Sequence, residues 1–321
     1  MSNDSPLPNT DSRLAFVFPG QGSQSLGMLS ALAQTQPEVE ATFAEASEAL
    51  GYDLWSLCQA GPEDQLNRTE HTQPALLAAG VAVWRAWRAR GGARPAMLAG
   101  HSLGEYTALV CGGALSLAEG VRLVRTRGQL MQSAVAEGRG AMAAILGAED
   151  ALVEQVCAEV AGAEVVQPAN YNAPGQIVIA GHAAAVERAL AALGERGVRK
   201  AVRLAVSVPS HCALMREAAE ALAEALASID LCMPEIPVIH NVTSKTSSDV
   251  SSMRTALAAQ LHQPVRWTGC VQALAAAGVS RVAECGPGKV LTGLAKRIDK
   301  GLDARALGSP DELNATLEAW A

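Results

Sequence analysis

Hydrophobic and polar positions along the chain alternate between short apolar runs and longer helical stripes. Leu14–Phe18 is an apolar run ended by Pro19-Gly20, which suits a buried strand. Pro74 to Arg90 is apolar and alanine-rich, interrupted only by Gly80, and reads as a helix. Ala96–Ala99 reads as a second short strand, followed at once by Gly100-His101-Ser102-Leu103-Gly104 and a helix through Ala108 and Leu109. Ser116 then caps a long helix running to about Ala136. Strand, helix and strand in this order predict a parallel sheet with helices on its faces.

From Gly140 the rhythm changes. Ala141–Leu146 reads as a strand, Glu149–Val160 as a helix and Val165–Asn170 as a strand. Gln176–Ala180, Ala183–Arg196 and Lys200–Leu204 follow as strand, helix and strand. This is the β-α-β-β-α-β order of a ferredoxin-like unit, its central hairpin turned by Asn172-Ala173-Pro174-Gly175. A helix near Ala213–Ala227, a strand at Pro237–His240, a helix over Ser251–Leu261 and a strand at Arg281–Glu284 resume the first pattern. The expected organisation is a large α/β domain built from residues 12–136 and 208–321, with a small ferredoxin-like subdomain inserted at 137–207.

Composition supports a folded, acidic chain. With 49% hydrophobic and 18% charged residues, its 321 residues can bury a sizeable core. The net charge of −7 is spread along the sequence and argues against non-specific nucleic-acid or anionic-membrane binding. Aromatic residues make up 3%, which leaves little material for stacking bases. The seven cysteines are widely spaced with no Cys-x-x-Cys pair, so neither a disulfide framework nor a structural zinc is expected. Met1 to Asp11 is polar and reads as neither signal peptide nor anchor. The longest apolar run, Pro74 to Trp84, is about half a bilayer span. These features point to the cytoplasm.

The strongest chemical signal is the Gly-x-Ser-x-Gly turn between a strand and a helix. Such a turn strains the serine, here Ser102, and pushes its hydroxyl to the C-terminal edge of the sheet. The helix N-terminus behind it offers free N–H groups to a developing oxyanion. A nucleophilic serine needs a base, and only six histidines exist. His101 adjoins the nucleophile and points elsewhere, His71 and His182 lie in other settings, and His240 and His262 close a strand and a helix. His211 follows Ser207-Val208-Pro209-Ser210 on a loop where the large domain resumes, a place where catalytic groups collect. Most acids between Ser102 and His211 fall in surface helices, among them Glu149, Asp150, Glu154 and Glu187. Either an acid comes later in the chain, or a carbonyl oxygen orients the imidazole.

Arg127 projects from the middle of an apolar stripe of Leu123, Val124, Leu130, Met131 and Ala134. A guanidinium on a buried face needs partners. Two readings are open: an internal salt bridge, or a fork that grips a substrate carboxylate. The loop Gly20-Gln21-Gly22-Ser23-Gln24-Ser25 lacks the third glycine of a dinucleotide fingerprint. Gly286-Pro287-Gly288-Lys289 lacks the outer positions of a P-loop, where Ala283 and Val290 stand. No metal-ligand spacing occurs, and neither metal nor cofactor is expected.

Taken together, the ordered motifs resemble those of the malonyl-CoA:acyl-carrier-protein transacylases over nearly the whole chain. The resemblance runs from Phe16-Val17-Phe18-Pro19-Gly20-Gln21-Gly22-Ser23-Gln24 through Gln73-Pro74-Ala75, the elbow ending at Glu105, and Arg127-Gly128-Gln129-Leu130-Met131. It continues through Val208-Pro209-Ser210-His211, Gln260, Pro264-Val265-Arg266-Trp267 and Gly286-Pro287-Gly288-Lys289. It implies a hydrolase-like α/β core with the ferredoxin-like insert. It implies Ser102 as nucleophile, His211 as base, and the backbone carbonyl of Gln260 in place of an acid. The N–H groups of Gln21 and Leu103 would form the oxyanion hole, and Arg127 would hold the malonyl carboxylate. The implied partners are malonyl-CoA and an acidic acyl carrier protein serving fatty-acid synthesis. Among Lys289, Lys296, Arg297 and Lys300, the pair Lys296 and Arg297 is expected to meet that carrier. A hydrolase or thioesterase, a non-catalytic scaffold and an acyltransferase of polyketide synthesis are the rival readings.

Overall fold

The computed structural model describes residues 9–136, 138–204 and 208–320. Most of the polar N-terminal segment and both outer ends of the expected insert, residues 137 and 207, lie outside the described residues. The strands, in chain order, are β1 (Thr10–Phe18), β2 (Arg94–Gly100), β3 (Gly140–Leu146), β4 (Val166–Ala173), β5 (Gln176–His182), β6 (Lys200–Arg203), β7 (Val238–Ile239), β8 (Arg281–Glu284) and β9 (Asp303–Ala306). They form two sheets, a parallel one in the order β7-β2-β1-β8-β9 and an antiparallel one in the order β4-β5-β3-β6. The α/β class with its small ferredoxin-like unit is as the sequence predicts.

The centre of the parallel sheet explains its strands. Leu14 to Phe18 in β1 are all buried, as expected of a strand covered on both faces. On one face Phe16 meets Trp84 and Trp87 edge-on, with ring centroids 5.4 Å apart in both cases, so the helix Thr69–Ala89 is anchored there. That helix begins five residues before the start read from the sequence, and Pro74 lies inside it. Near the helix start a proline sacrifices a single hydrogen bond, which packing can outweigh. β9 escaped the sequence reading because it is four residues long and carries Asp303 and Arg305, charges suited to an edge strand.

The helix Leu117–Ala134 carries Arg127 toward the interior. Its start is fixed by a capping box. Ser116 Oγ accepts from the Glu119 N–H at 3.2 Å, and Glu119 Oε2 accepts from the Ser116 N–H at 3.2 Å. Leu123, Val124, Arg127 and Met131 are buried on one face, so the apolar stripe is real and includes the cation. Gly128 allows close approach to the neighbouring helix, because a Cβ there would stand 2.7 Å from the Thr69 carbonyl oxygen.

In the antiparallel sheet, Ile145, Ile177 and Ile179 pack with Val153 and Val186 from the helices Asp150–Ala161 and Ala183–Glu195. β4 runs on to Ala173, so the hairpin turn shortens to Pro174-Gly175, with Gly175 at φ 68°. The β4 strand also docks onto the core. The Tyr171 N–H donates to the Val265 carbonyl at 2.8 Å, and the Val265 N–H to the Ala169 carbonyl at 2.9 Å. This junction holds the hairpin beside the C-terminal ends of the parallel strands. Among the described residues no helix is long and apolar enough to cross a membrane.

Candidate active site

The chain leaves β1 to build β2 and β7 on one side, then returns to build β8 and β9 on the other. Loops at the carboxyl ends of strands around such a switch point diverge and open a crevice. Here a cleft of about 620 Å³ lies at that edge, lined by the 20–24 loop, the elbow, Arg127, His211 and the β4–β5 hairpin.

Ser102 sits at φ 52° in the sharp turn after β2. The turn exists because both flanking residues are glycine. A Cβ on Gly100 would fall 1.9 Å from the Gly104 carbonyl carbon, and one on Gly104 would fall 2.0 Å from the Phe18 carbonyl oxygen. The strained serine is held by its own backbone. Its N–H donates to Asn241 Oδ1 at 2.7 Å, and its carbonyl accepts from Gln260 Nε2 at 2.9 Å.

His211, also left-handed at φ 63°, presents Nε2 to Ser102 Oγ at 2.8 Å. Its Nδ1 lies 2.7 Å from the Gln260 carbonyl oxygen. A carbonyl only accepts, so Nδ1 carries the hydrogen and Nε2 keeps its lone pair for the serine proton. No carboxylate bonds to His211 among the described residues, so of the two alternatives left open above the carbonyl is the one observed. Burial, then the Arg127 cation, pushes the His211 pKa down to about 3 against the pull of the Gln260 carbonyl, with His101 adding to the depression. The imidazole is therefore neutral at physiological pH.

Arg127 is 1% exposed. Nη1 donates to Gln73 Oε1 at 2.8 Å, and Nη2 donates to Gln260 Oε1 at 2.9 Å and to Ser102 Oγ at 3.2 Å. Its guanidinium carbon lies 5.3 Å from the Tyr106 ring centroid. No carboxylate pairs with it among the described residues, which removes the internal salt bridge as its explanation. Its hydrogen-bond partners are neutral, so a buried positive charge faces the Ser102 hydroxyl. Burial lowers the Arg127 pKa while Tyr106 and Glu105 support the charged form.

Gln21 and Leu103 line the cleft with Ser102, and neither backbone N–H meets an acceptor among the described residues. His101 points away from the serine, as expected, with Nε2 2.8 Å from Asn172 Oδ1 in the hairpin. Lys296 and Arg297 lie in the last turn of the helix Val290–Ile298, exposed and apart from the Ser102 cluster. Leu291 and Leu294 of that helix line the cleft, and Arg297 Nη1 reaches Gln176 Oε1 at 3.2 Å. Lys289 pairs instead with Glu312 at 2.8 Å. Sequence reasoning missed Asn241, which no motif singles out, and gave no role to the Gln73 side chain, although Gln73-Pro74-Ala75 is among the motifs. It also passed over Glu105, a carboxylate on the otherwise apolar helix Gly104–Cys111. Among the described residues no cluster of side chains could hold a metal ion.

Comparison with known proteins agrees with this geometry. Residues 15–309 match the acyl transferase domain family. The malonyl CoA-acyl carrier protein transacylase of Salmonella typhimurium is 56% identical over 305 residues, covering 95% of this chain and 99% of the relative. The crystal structure of malonyl-CoA:acyl carrier protein transacylase from Xanthomonas oryzae pv. oryzae is 65% identical with a TM-score of 0.96, covering 97% and 99% of the two chains. A malonyl-transacylase solved in complex with its type II PKS acyl-carrier protein is 53% identical with a TM-score of 0.94, covering 96% and 99%.

Proposed function

This chain belongs to the acyl transferase family, and from that premise we propose that it moves a malonyl group from malonyl-CoA to the phosphopantetheine thiol of acyl carrier protein, supplying extender units for fatty-acid synthesis. The observation that carries the proposal is the meeting at one oxygen, Ser102 Oγ, of a neutral imidazole at 2.8 Å and a buried guanidinium at 3.2 Å. A hydrolase of uncharged esters would have no use for that cation.

His211 Nε2 takes the Ser102 proton as Oγ attacks the thioester carbonyl. The Gln21 and Leu103 N–H groups, free of other acceptors among the described residues, meet the oxyanion. The carbon–sulfur bond breaks and the imidazolium returns its proton to the departing CoA sulfur. The thiol of the carrier then attacks the malonyl ester by the reverse path, so the cycle is ping-pong. Arg127 grips the free carboxylate of the malonyl group, which lies close to the ester carbonyl, just as Nη2 lies close to Oγ. The large core and the small sheet share the work: the core supplies the elbow and Arg127, while the hairpin walls the cleft. We place the reaction in the cytoplasm, a reading supported by seven unpaired cysteines.

The test is the mass of the intact protein after brief incubation with malonyl-CoA, then with the carrier. The expected result is one malonyl adduct, mapped to Ser102, absent in Ser102→Ala and discharged by the carrier. An adduct on another residue, or rapid release of malonate without a carrier, refutes the proposal.

A further inference from the structure

Behind the nucleophile lies a buried carboxylate that the mechanism above does not use. Glu105 is the second residue of the helix that starts at the elbow, and it is 0% exposed. Burying a carboxylate is costly unless its lone pairs are filled. Here they are filled by three donors. Oε1 lies 2.7 Å from His240 Nδ1, while Oε2 accepts from the Asn241 N–H at 2.9 Å and from Gln260 Nε2 at 2.8 Å.

The third donor gives the cluster its meaning. Gln260 touches every working part of the site: its carbonyl orients His211, its Nε2 also holds the Ser102 carbonyl, and its Oε1 holds Arg127. A glutamine side chain has several rotatable bonds, and its amide would swing freely unless both ends were tied. Arg127 ties the oxygen and Glu105 ties the nitrogen. Asn241, whose backbone Glu105 also holds, accepts from the Ser102 N–H and donates from Nδ2 to the Gly100 carbonyl at 2.6 Å.

We infer that Glu105 is a positioning residue for acyl transfer: through Gln260 and Asn241 it fixes, at one point, the elbow, the imidazole and the guanidinium. It touches no substrate. It does from behind the helix what an acid does in a Ser-His-acid triad, but it acts on the scaffold of the imidazole rather than on the imidazole. The inference rests on the acyl-transfer reading given above.

Reach, not charge, is the property this role requires, and two variants separate them. Glu105→Gln keeps the reach and loses the charge. Its oxygen can take the two donors at Oε2, and its NH₂ can face His240 Nδ1 once that ring moves its hydrogen to Nε2. Glu105→Asp keeps the charge and draws the carboxylate back by one methylene. Displacements of about 1 Å in a catalytic constellation cost on the order of 10²-fold. The measurement is the rate of ester formation on the full-length protein, with malonyl-CoA and with acetyl-CoA, alongside a melting curve. Expected is a loss of about tenfold or more in Glu105→Asp with both acyl groups, and recovery of most of the rate in Glu105→Gln.

The reverse order, with aspartate active and glutamine not, would show a charge effect and overturn the inference. A lower melting temperature with wild-type rates in both variants would show a purely structural role and overturn it too. Should Glu105→Asp fail to melt cooperatively, Gln260→Met decides: a comparable loss with both acyl groups supports the inference, and an unchanged rate ends it. A wild-type protein that forms no malonyl ester at all would refute the acyl-transfer reading instead.

Discussion

Replacing Arg127 by alanine tests what a buried cation beside a nucleophile is for. The guanidinium is 1% exposed, makes its hydrogen bonds to Gln73, Gln260 and Ser102, and faces no carboxylate of its own chain among the described residues. If it holds the malonyl carboxylate, the alanine variant leaves that carboxylate unpaired in a partly desolvated cleft. Truncating one partner of such a pair costs roughly 2–5 kcal/mol. At about 1.4 kcal/mol per tenfold, malonyl transfer should fall by about 30-fold to several-thousand-fold. Acetyl-CoA brings no carboxylate, so its transfer should hold steady or rise. Arg127→Lys should keep only part of the malonyl activity, because an ammonium cannot reproduce the planar fork. The truncation also strands Gln73 Oε1 and Gln260 Oε1, each at a cost of about 1–3 kcal/mol unless water enters, so melting temperature must be read in parallel. The assay is initial-rate transfer of malonyl and acetyl groups to the carrier, side by side. An equal fall in both, tracking a loss of stability, would refute the assignment.

The pH dependence follows from His211. Its pKa of about 3 in the folded protein lies below the ordinary imidazole value, so acetyl-transfer kcat/KM should show no inflection near pH 6.5. In Arg127→Ala, with the neighbouring cation gone, the acid limb should move upward; a wild-type inflection at the ordinary value would contradict the burial argument. Stability carries the same sign. Between pH 6.5 and about 3 the unfolded chain holds a proton that the native imidazole refuses, so native stability should fall as pH drops through that window, and equilibrium denaturation in His211→Ala should lose this component. Gly104→Ala should abolish ester formation, because its Cβ would stand 2.0 Å from the Phe18 carbonyl oxygen; a near wild-type rate would mean that the elbow can relax. Reversing Lys296 and Arg297 to glutamate should weaken transfer to the acidic carrier and its salt dependence while sparing loading from malonyl-CoA, and equal effects on both steps would exclude that surface.

The parts of this molecule legible in its sequence are those governed by local rules. The elbow could be read because only glycine fits on either side of so sharp a turn. The cap at Ser116 and the stripe that buries Arg127 could be read because helical spacing fixes them. Elements carried by tertiary contact could not. The helix that the sequence pattern starts at Pro74 begins at Thr69, since packing against Gly128 outweighs the proline's missing donor. β9 is too short and too charged to show a strand pattern by itself. Asn241 meets Ser102 across 139 residues of separation and Gln260 meets Glu105 across 155, and no spacing announces such contacts. The resemblance named the role of the Gln260 carbonyl, yet neither it nor the motifs pointed to what holds the Gln260 amide.

On the proposed mechanism, the carbonyl behind His211 also sets how the ester chooses between two attackers. A carboxylate there would stabilise the imidazolium and make His211 a stronger base; a neutral carbonyl, opposed by a nearby cation, leaves it a weak one. Thiols ionise near pH 8.5 and arrive with a small thiolate fraction already formed, whereas bulk water, a far weaker acid, depends wholly on a base to become a nucleophile. Weakening the base therefore penalises solvent far more than thiol. The partition ratio of the acylated serine is tilted toward its carrier by a choice of backbone atom, before any lid or dry wall is called upon to exclude water.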